Sequence, residues 1–218
     1  MNTRIPSIKF PIRAIVAAAL AVGVPAASFL AAAPVAAAAT EMDSAVAALR
    51  SISTLKADFI QTDRSGQRVS GVVTLKQPGK IRFQYEKGVP LLIVADGNAL
   101  TMIDYEVNQV QRWPIKNSPL GALLDPKREV ARFGTLKPTG NPNVISVEVR
   151  DPKKPEYGMI TLVFVKDAGA PGGWELSSWV ALDSQNNRTT VRLSNQQYGV
   201  PVADSTFRYR DPRPTSRR

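Results

Sequence analysis

The sequence predicts a mainly β domain in which a curved antiparallel sheet is accompanied by short helices. Apolar and polar residues alternate along many short segments, as they do in strands that bury one face. Turn dipeptides such as Pro78–Gly79 and Asp96–Gly97 separate successive segments by only a few residues. Parallel strands need a much longer crossover, so the pattern favours an antiparallel meander.

The N-terminal segment has the features of a secretory signal peptide. Three basic residues precede an apolar run from Ala14 to about Leu30, and the run is followed by alanine-rich sequence. Ala37 and Ala39 fit an Ala-x-Ala cleavage site, and neighbouring alanines fit a cut one residue away. An uncleaved membrane anchor is the alternative, which interruption of the run by glycine and proline disfavours. We therefore expect a signal peptide over 1–39 and one mature domain over 40–210.

Composition limits the functions that are open to the mature chain. Removal of the three N-terminal cations lowers the formal charge from +10 to +7, and the remaining Lys and Arg are dispersed among Asp and Glu. Dispersed charge argues against nucleic acid and favours loose attraction to anionic membranes. The chain has no cysteine and no histidine, which removes disulfides, the usual general base and the common zinc ligands. Because Asp96, Asp104, Glu106 and Asp183 lie in turn-like contexts, we predict no enzyme, metal site or cofactor.

The first half of the mature chain reads as one helix followed by a meander. Met42, Val46, Leu49 and Ile52 recur at helical spacing and predict an amphipathic helix over Thr40–Thr54. Strands are then predicted over Leu55–Thr62, Arg68–Gln77, Lys80–Glu86, Leu91–Ala95, Leu100–Tyr105 and Gln109–Trp113.

A short helix interrupts the strand pattern between Pro114 and Leu124. Ser118 can cap it and Pro119 fits its first position. One face carries three leucines, Leu120, Leu123 and Leu124. On this local pattern alone, an ordinary amphipathic helix that covers a core is the simpler interpretation.

The C-terminal half returns to strands after a charged segment that we expect to be helical at Pro126–Phe133. Strands are predicted over Val144–Arg150, Gly158–Lys166, Trp174–Asp183, Thr189–Ser194 and Thr206–Tyr209. The basic end, 211–218, is typical of a disordered tail. Strand Gly158–Lys166 is apolar on both faces, so the sheet has more apolar surface than a short helix can cover. The surplus requires a second layer, a partner or a ligand.

Three motifs occur in order after the N-terminal helix. They are "LKADFIQT" followed by "SGVVTLKQPGKIRFQYE", then "LLIVADGNALTMIDYEVNQVQRW", and then "SPLGALL". In order and spacing they resemble the LolA family of periplasmic lipoprotein carriers. The resemblance covers most of Ser53–Leu124, whereas the C-terminal half agrees mainly in its strand pattern.

The resemblance implies an unclosed antiparallel β-barrel whose concave apolar side is capped by a helical lid. Acyl chains are then expected to lie between the sheet and the lid. The cavity-wall positions are Phe59, Val73, Leu75, Ile81, Phe83, Val94, Leu100, Met102, Ile160, Leu162, Phe164 and Trp174. The lid positions are Leu120, Leu123 and Leu124.

Two polar residues near the turn of the second hairpin are of interest in this comparison. Many members of the family carry an Arg immediately before the turn proline that hydrogen-bonds toward the lid, where this chain has Gln77. An uncharged amide makes weaker hydrogen bonds, so lid closure is expected to be weaker here. Arg82 alternates with Ile81 and Phe83 and is expected to face solvent or a docking partner.

The function implied by the resemblance is that of a non-enzymatic, monomeric carrier in the periplasm of a Gram-negative bacterium. Acylated lipoproteins released by an ATP-driven (ABC-type) inner-membrane transporter would be its cargo, and an outer-membrane receptor or the outer membrane itself its destination. Two alternatives stay open. An envelope-stress sensor of related fold usually carries a further domain, for which this chain is short, and a lipid-processing hydrolase would turn over ester substrates.

Overall fold

The structure is a computed structural model that describes residues 34–115, 120–124 and 130–214. The first described part comprises α1 (Pro34–Ser51), β1 (Thr54–Thr62), β2 (Arg68–Lys76), β3 (Lys80–Tyr85), β4 (Leu91–Asp96), β5 (Ala99–Asp104) and β6 (Gln109–Pro114). The remainder comprises α2 (Gly121–Leu124), α3 (Val130–Phe133), β7 (Gly134–Lys137), β8 (Val144–Val149), β9 (Met159–Lys166), β10 (Trp174–Leu182) and β11 (Arg188–Tyr198). Residues 1–33 of the predicted signal peptide, residues 215–218 of the predicted tail, and Ser118 and Pro119 lie outside the described residues.

The strands form one antiparallel sheet in the order β6-β5-β4-β3-β2-β1-β11-β10-β9-β8-β7. Two meanders, β1 to β6 and β7 to β11, are joined where β1 pairs with β11. Strands β6 and β7 end the order and do not pair with each other, so the sheet is unclosed, as the sequence predicted. The turns at Pro78–Gly79 and Asp96–Gly97 join β2 to β3 and β4 to β5, which confirms both predicted hairpins.

The antiparallel order gives the sheet two distinct ends. At one end, which we call the α2 end, β2 and β6 finish, β3 and β5 begin, and α2 is attached to the β2–β3 turn. At the other end, which we call the loop end, β10 finishes and β9 and β11 begin. Because β11 starts at the loop end and finishes beside the start of β1, the two ends lie at opposite extremes of the strands.

Three elements differ from the sequence predictions. Helix α1 begins at Pro34 rather than Thr40, and the short edge strand β7 follows α3 where no strand was predicted. The prediction of a strand over Thr206–Tyr209 is wrong, because Asp204–Phe207 form a 3-10 turn. The turn exists because its Phe207 side chain is buried against the sheet while two nearby carbonyl groups bind Arg82.

The main core lies on the concave face of the sheet. Helix α1 packs against β7, β8 and β10, and Leu123 and Leu124 of α2 belong to the same core. Cross-strand rows supply the sheet's part of the core, for example Ala57, Val73 and Phe83 in register on β1, β2 and β3. Strand alternation places every second residue of β3, β8 and β9 in this core. Of the helices in the described part of the chain, none reaches the length and hydropathy of a bilayer-spanning helix.

The convex face of β3 to β5 is covered by a C-terminal strap, residues 202–210. Phe207 is 5% exposed and packs in a second apolar cluster with Leu92, Val94 and Ile103. Cations on β2 and β3 anchor the strap: Lys76 and Lys80 both bind Asp204, Lys76 donates to Val202 O, and Arg82 donates to the carbonyl oxygens of Thr206 and Arg208. Hydrogen bonds from Lys76 and Lys80 lower the pKa of Asp204 to about 2.

Replacing Phe207 by alanine is expected to lower the free energy of unfolding by about 3 kcal/mol, because the change leaves a void over a buried cluster. Chemical unfolding followed by tryptophan fluorescence measures this loss. Tyr209→Ala is the matched control, since Tyr209 is among the exposed residues of the same strap and should change stability by about 0.5 kcal/mol or less. Equal effects of the two substitutions would contradict the packing of the strap on the sheet.

Candidate functional site

A set of aromatic side chains spans the interior of the concave face. Phe59 packs edge to face with Phe83 and Tyr85, at ring-centroid distances of 5.4 and 5.3 Å. Phe83 in turn meets Trp179 at 6.1 Å. Because β3 and β10 belong to opposite halves of the sheet, this last contact shows that the sheet curves until its two halves touch.

Beside this contact lies a cavity of about 390 Å³. Its apolar lining comes from β3, β4, β5, β6, β10, β11 and the residue before α2: Phe83, Ile93, Leu100, Trp113, Leu120, Trp179, Ala181 and Val191. Its polar lining comes from Gln61, Glu156, Tyr157, Asp183, Ser184, Asn187 and Thr189. The volume lies in the lower part of the range of about 300–1,000 Å³ that is usual for small-molecule sites.

The predicted wall residues divide into those that line this cavity and those that lie beneath it. Phe83 and Leu100 line it. Seven others belong to the main core and are at most 1% exposed: Phe59, Val73, Leu75, Ile81, Ile160, Leu162 and Phe164. Trp174 packs half-buried against the same core, and Met102 is on the concave face because it pairs with Ile93. Whether these residues contact an acyl chain stays a prediction.

The placement of Val94 in the cavity wall was wrong. Val94 pairs with Arg82 and Thr101, and it packs on the convex face beneath Phe207. Strand β4 is apolar at almost every position because the strap covers its convex side as well. Continuous apolar sequence hides the alternation that would otherwise tell the two faces apart. Ile93, one residue away, is the cavity residue of this strand.

Sequence reasoning also missed Trp113, Trp179 and Val191, which line the cavity. Trp113 continues the row of Ile81, Ala95 and Leu100 across β3 to β6, so cross-strand register identifies it. Trp179 and Val191 reach the cavity only through the curvature of the sheet, which local sequence does not encode.

The helix predicted as a lid lies at one end of the cavity. Leu120 lines the cavity, whereas Leu123 and Leu124 are buried in the main core. The β2–β3 turn holds the helix through two hydrogen bonds: the Gln77 side-chain amide donates to Leu123 O at 3.0 Å, and the Gly79 N–H donates to Leu124 O at 3.2 Å. The predicted contact between Gln77 and the leucine-bearing helix is therefore present.

Replacing Gln77 by alanine is expected to loosen α2. The amides of Leu123 and Leu124 donate to Leu120 O within the helix, and loss of one external hydrogen bond of about 1 kcal/mol should speed their hydrogen exchange about fivefold. Gln77→Arg should slow the exchange, because a charged donor binds a carbonyl oxygen more strongly. The exposed Gln67 provides the control substitution, and unchanged exchange in Gln77→Ala would contradict the role given to this contact.

The contacts of Arg82 differ from those expected. It lies on the convex face as predicted, but it binds the strap of its own chain and Gln84 rather than only solvent. Burial lowers the pKa of its guanidinium. Arg82 thus stabilises the strap, and a docking role is not needed to account for its position.

Two ionisable groups at or beside the cavity, Tyr85 and Asp183, have shifted pKa values. Tyr85 donates to Gln61 Oε1 at 2.8 Å, and burial raises the pKa of Tyr85 to about 12. The pKa of Asp183 is lowered chiefly because the Asn187 side chain donates to it, which fixes the β10–β11 turn. Within the described residues, no group of three His, Cys, Asp or Glu side chains is placed to hold a metal ion.

Comparison with known proteins identifies the family. A family model described as outer membrane lipoprotein carrier protein LolA matches residues 50–210. The chain is 31% identical over 183 residues to an outer-membrane lipoprotein carrier protein of Chromobacterium violaceum, covering 78% of this chain and 85% of that one. It is 29% identical over 173 residues to the protein of that name from Dechloromonas aromatica, covering 75% and 80%.

Among solved structures, a LolA superfamily protein from Nitrosomonas europaea superposes with a TM-score of 0.46 at 9% identity, over 79% of this chain and 97% of that chain. The family model covers both meanders and α2, and the sequence relatives extend over most of the same region. The chain therefore belongs to the LolA family of outer membrane lipoprotein carrier proteins.

Proposed function

We propose that this protein carries acylated lipoproteins through the periplasm, with their acyl chains held in the cavity on the concave face. The observation that carries the proposal is a cavity on the concave face, with an apolar lining beside α2, in a member of this family. A protein with a purely structural role has no need of such a cavity, since filling the interior with side chains would be more stable.

The free energy of hydration explains why an acyl chain needs this enclosure. At ~0.8 kcal/mol per methylene, a chain of about fifteen methylenes gains roughly 12 kcal/mol on leaving water. A bilayer provides the same gain, so transfer from a membrane to the carrier is close to neutral at best. Loading therefore requires external work, which we propose an ATP-driven inner-membrane transporter supplies, and the proposed acceptor for unloading is at the outer membrane.

The size of the cavity implies that α2 moves when a cargo with more than one acyl chain is loaded. A space of about 390 Å³ accommodates on the order of one acyl chain, since each water-sized group needs about 30 Å³. A cargo with more acyl chains must displace part of the cover. Helix α2 is the element best suited to move, because it is one turn long. Its movement would break the hydrogen bonds that Gln77 and Gly79 of the β2–β3 turn make to it.

The proposal includes a location and a mode of action. The N-terminal basic and apolar sequence supports export to the periplasm. A chain without histidine or cysteine supports a carrier that acts by binding rather than by catalysis. The basic net charge supports transient contact with anionic membranes at both ends of the route.

Expression of the full-length chain in a Gram-negative host, followed by purification of the exported protein from the periplasm, tests the proposal. Mass spectrometry of the purified protein is expected to detect acylated lipoprotein bound to it. A periplasmic protein of another family, purified in parallel, controls for nonspecific lipid. Absence of any acylated molecule would contradict the proposal, and turnover of ester substrates without retained lipid would indicate a hydrolase instead.

A further inference from the structure

The cavity is polar at one end and apolar at the other. At the α2 end, its lining consists of Leu100 at the start of β5, Trp113 near the end of β6, and Leu120 beside α2. At the loop end, it is lined by the turn before β9 and by the turn between β10 and β11. Each of the polar lining residues belongs to this second end, where β1 finishes and β11 begins.

Exposure also differs between the two ends. Glu156, Ser184 and Asn187 at the loop end are exposed to solvent. At the α2 end, Leu100 is 4% exposed, and Trp113 and Leu120 are partly buried. Among the described residues, the lining of the cavity is therefore more exposed to solvent at its polar end than at its apolar end.

The loop end presents hydrogen-bond donors that suit a neutral polar group. Tyr157 and Ser184 carry hydroxyl groups, and the Tyr85 hydroxyl donates to Gln61 Oε1, which leaves the Gln61 amide nitrogen as a donor to other groups. Ester and amide carbonyl groups accept such hydrogen bonds. These are the groups that link acyl chains to a lipoprotein, and burial without hydrogen bonds would cost free energy.

Resting on the function proposed above, we infer that the acyl chain lies along the strands with its methyl end against Leu100, Trp113 and Leu120. Its polar linkage then lies between the turns Pro155–Tyr157 and Asp183–Asn187. In this arrangement the cargo projects into solvent at the loop end. Helix α2 covers the tip of the chain and limits the length that fits, rather than forming the opening through which the polar part leaves.

Tryptophan quenching tests this orientation, because Trp113 lies at the α2 end and Trp179 lies closer to the loop end. The chain has three tryptophans, so Trp174→Phe with Trp179→Phe leaves Trp113 as the reporter, and Trp113→Phe with Trp174→Phe leaves Trp179. The probes are glycerol monoesters of hexadecanoic acid, brominated either at the terminal carbon or beside the ester. The terminal bromine should quench Trp113 more than Trp179, and the bromine beside the ester should reverse this order.

A second measurement covers the case in which a tryptophan variant fails to fold. The chain contains no cysteine, so Ser184→Cys carries a single nitroxide label at the exposed loop end. The label should broaden the NMR signals of probe protons beside the ester more than those of the terminal methyl group. The diamagnetic analogue of the same label on Ser184→Cys is the control and should broaden neither.

The outcomes separate the orientation from the proposed function. The opposite order of quenching or broadening would overturn the orientation while leaving acyl binding intact. Equal effects at both ends would also overturn it, because the chain would then have no fixed direction. Absence of any quenching in the folded reporters, and of broadening by the Ser184 label, would show that the cavity does not bind acyl chains and would overturn the proposed function as well.

Discussion

Replacing Gly71 by alanine is expected to lower the free energy of unfolding by about 3 kcal/mol or more. Gly71 on β2 lies directly between Phe59 on β1 and Tyr85 on β3. A Cβ atom at this position would meet the carbonyl oxygen of Gln84 and lie 2.8 Å from Tyr85 Cα. Both are backbone atoms of the adjacent strand, so relief of the clash requires β2 and β3 to separate.

The same close approach supports the candidate site. The rings of Phe59 and Tyr85 pack edge to face from the strands on either side of Gly71, and a side chain between them would push them apart. Thermal unfolding should show a decrease of about 6–12 °C in Tm, at about 2–4 °C per kcal/mol for a domain of this size. Gly169→Ala is the control, because its Cβ would have only an ordinary contact with the Asp167 side chain. Equal Tm values for the two variants would contradict the observed approach of β2 and β3.

Replacing Ile93 by glutamate is expected to abolish acyl binding while leaving the protein folded. Ile93 is half-buried and lines the cavity, so a carboxylate at this position is hydrated as long as the cavity is empty. No described lining residue is a lysine or an arginine that could pair with it. An acyl chain that displaced this water would leave the charge desolvated, at a cost of several kcal/mol.

Each 1.4 kcal/mol is a factor of ten in affinity, so the loss should be about a hundredfold or more. Titration with a fluorescent monoacylglycerol measures it, and circular dichroism establishes that the variant is folded. Ile60→Glu introduces the same charge on the convex face of β1, where Ile60 is 48% exposed, and should leave both binding and stability unchanged. Retained binding in Ile93→Glu would mean that acyl chains occupy another surface.

Local signals in the sequence were sufficient for most of the sheet. Alternation defined β1 and β3, and the glycines of the two tight turns, Gly79 and Gly97, adopt the positive φ angles that such turns require. Contacts between segments distant in sequence could not be predicted from these local signals. The pairing of β1 with β11 joins the two ends of the domain, and nothing in either strand's own pattern specifies its partner. Part of the strap was predicted as a strand, because the apolar cluster on β4 and β5 that buries Phe207 is formed by residues distant from it in sequence.

The site was predictable in its general location but not in its lining. Alternation placed Ile81 on the concave face, yet it is 0% exposed in the core, because side chains at the centre of a strongly curved sheet are covered by their neighbours. Ile93 and Trp113 remain accessible because they lie nearer the open edge formed by β6. The distinction between core and cavity therefore depends on curvature and on the position of α2. The polar loop end of the cavity is formed where β1 and β10 end and β9 and β11 begin. These four strand termini are distant in sequence, so the motifs alone do not show that they meet.

A comparison of acylated and unacylated cargo tests the central claim most directly. The full-length chain is co-expressed with a lipoprotein, or with the same lipoprotein in which the acylated cysteine is replaced by serine, and complexes are isolated from the periplasm. If the concave cavity binds acyl chains, only the acylated form should copurify with the wild-type chain, and Ile93→Glu should capture neither form. Equal recovery of both forms with the wild-type chain would show that the protein recognises the polypeptide, and it would contradict a carrier that holds its cargo by the acyl chain.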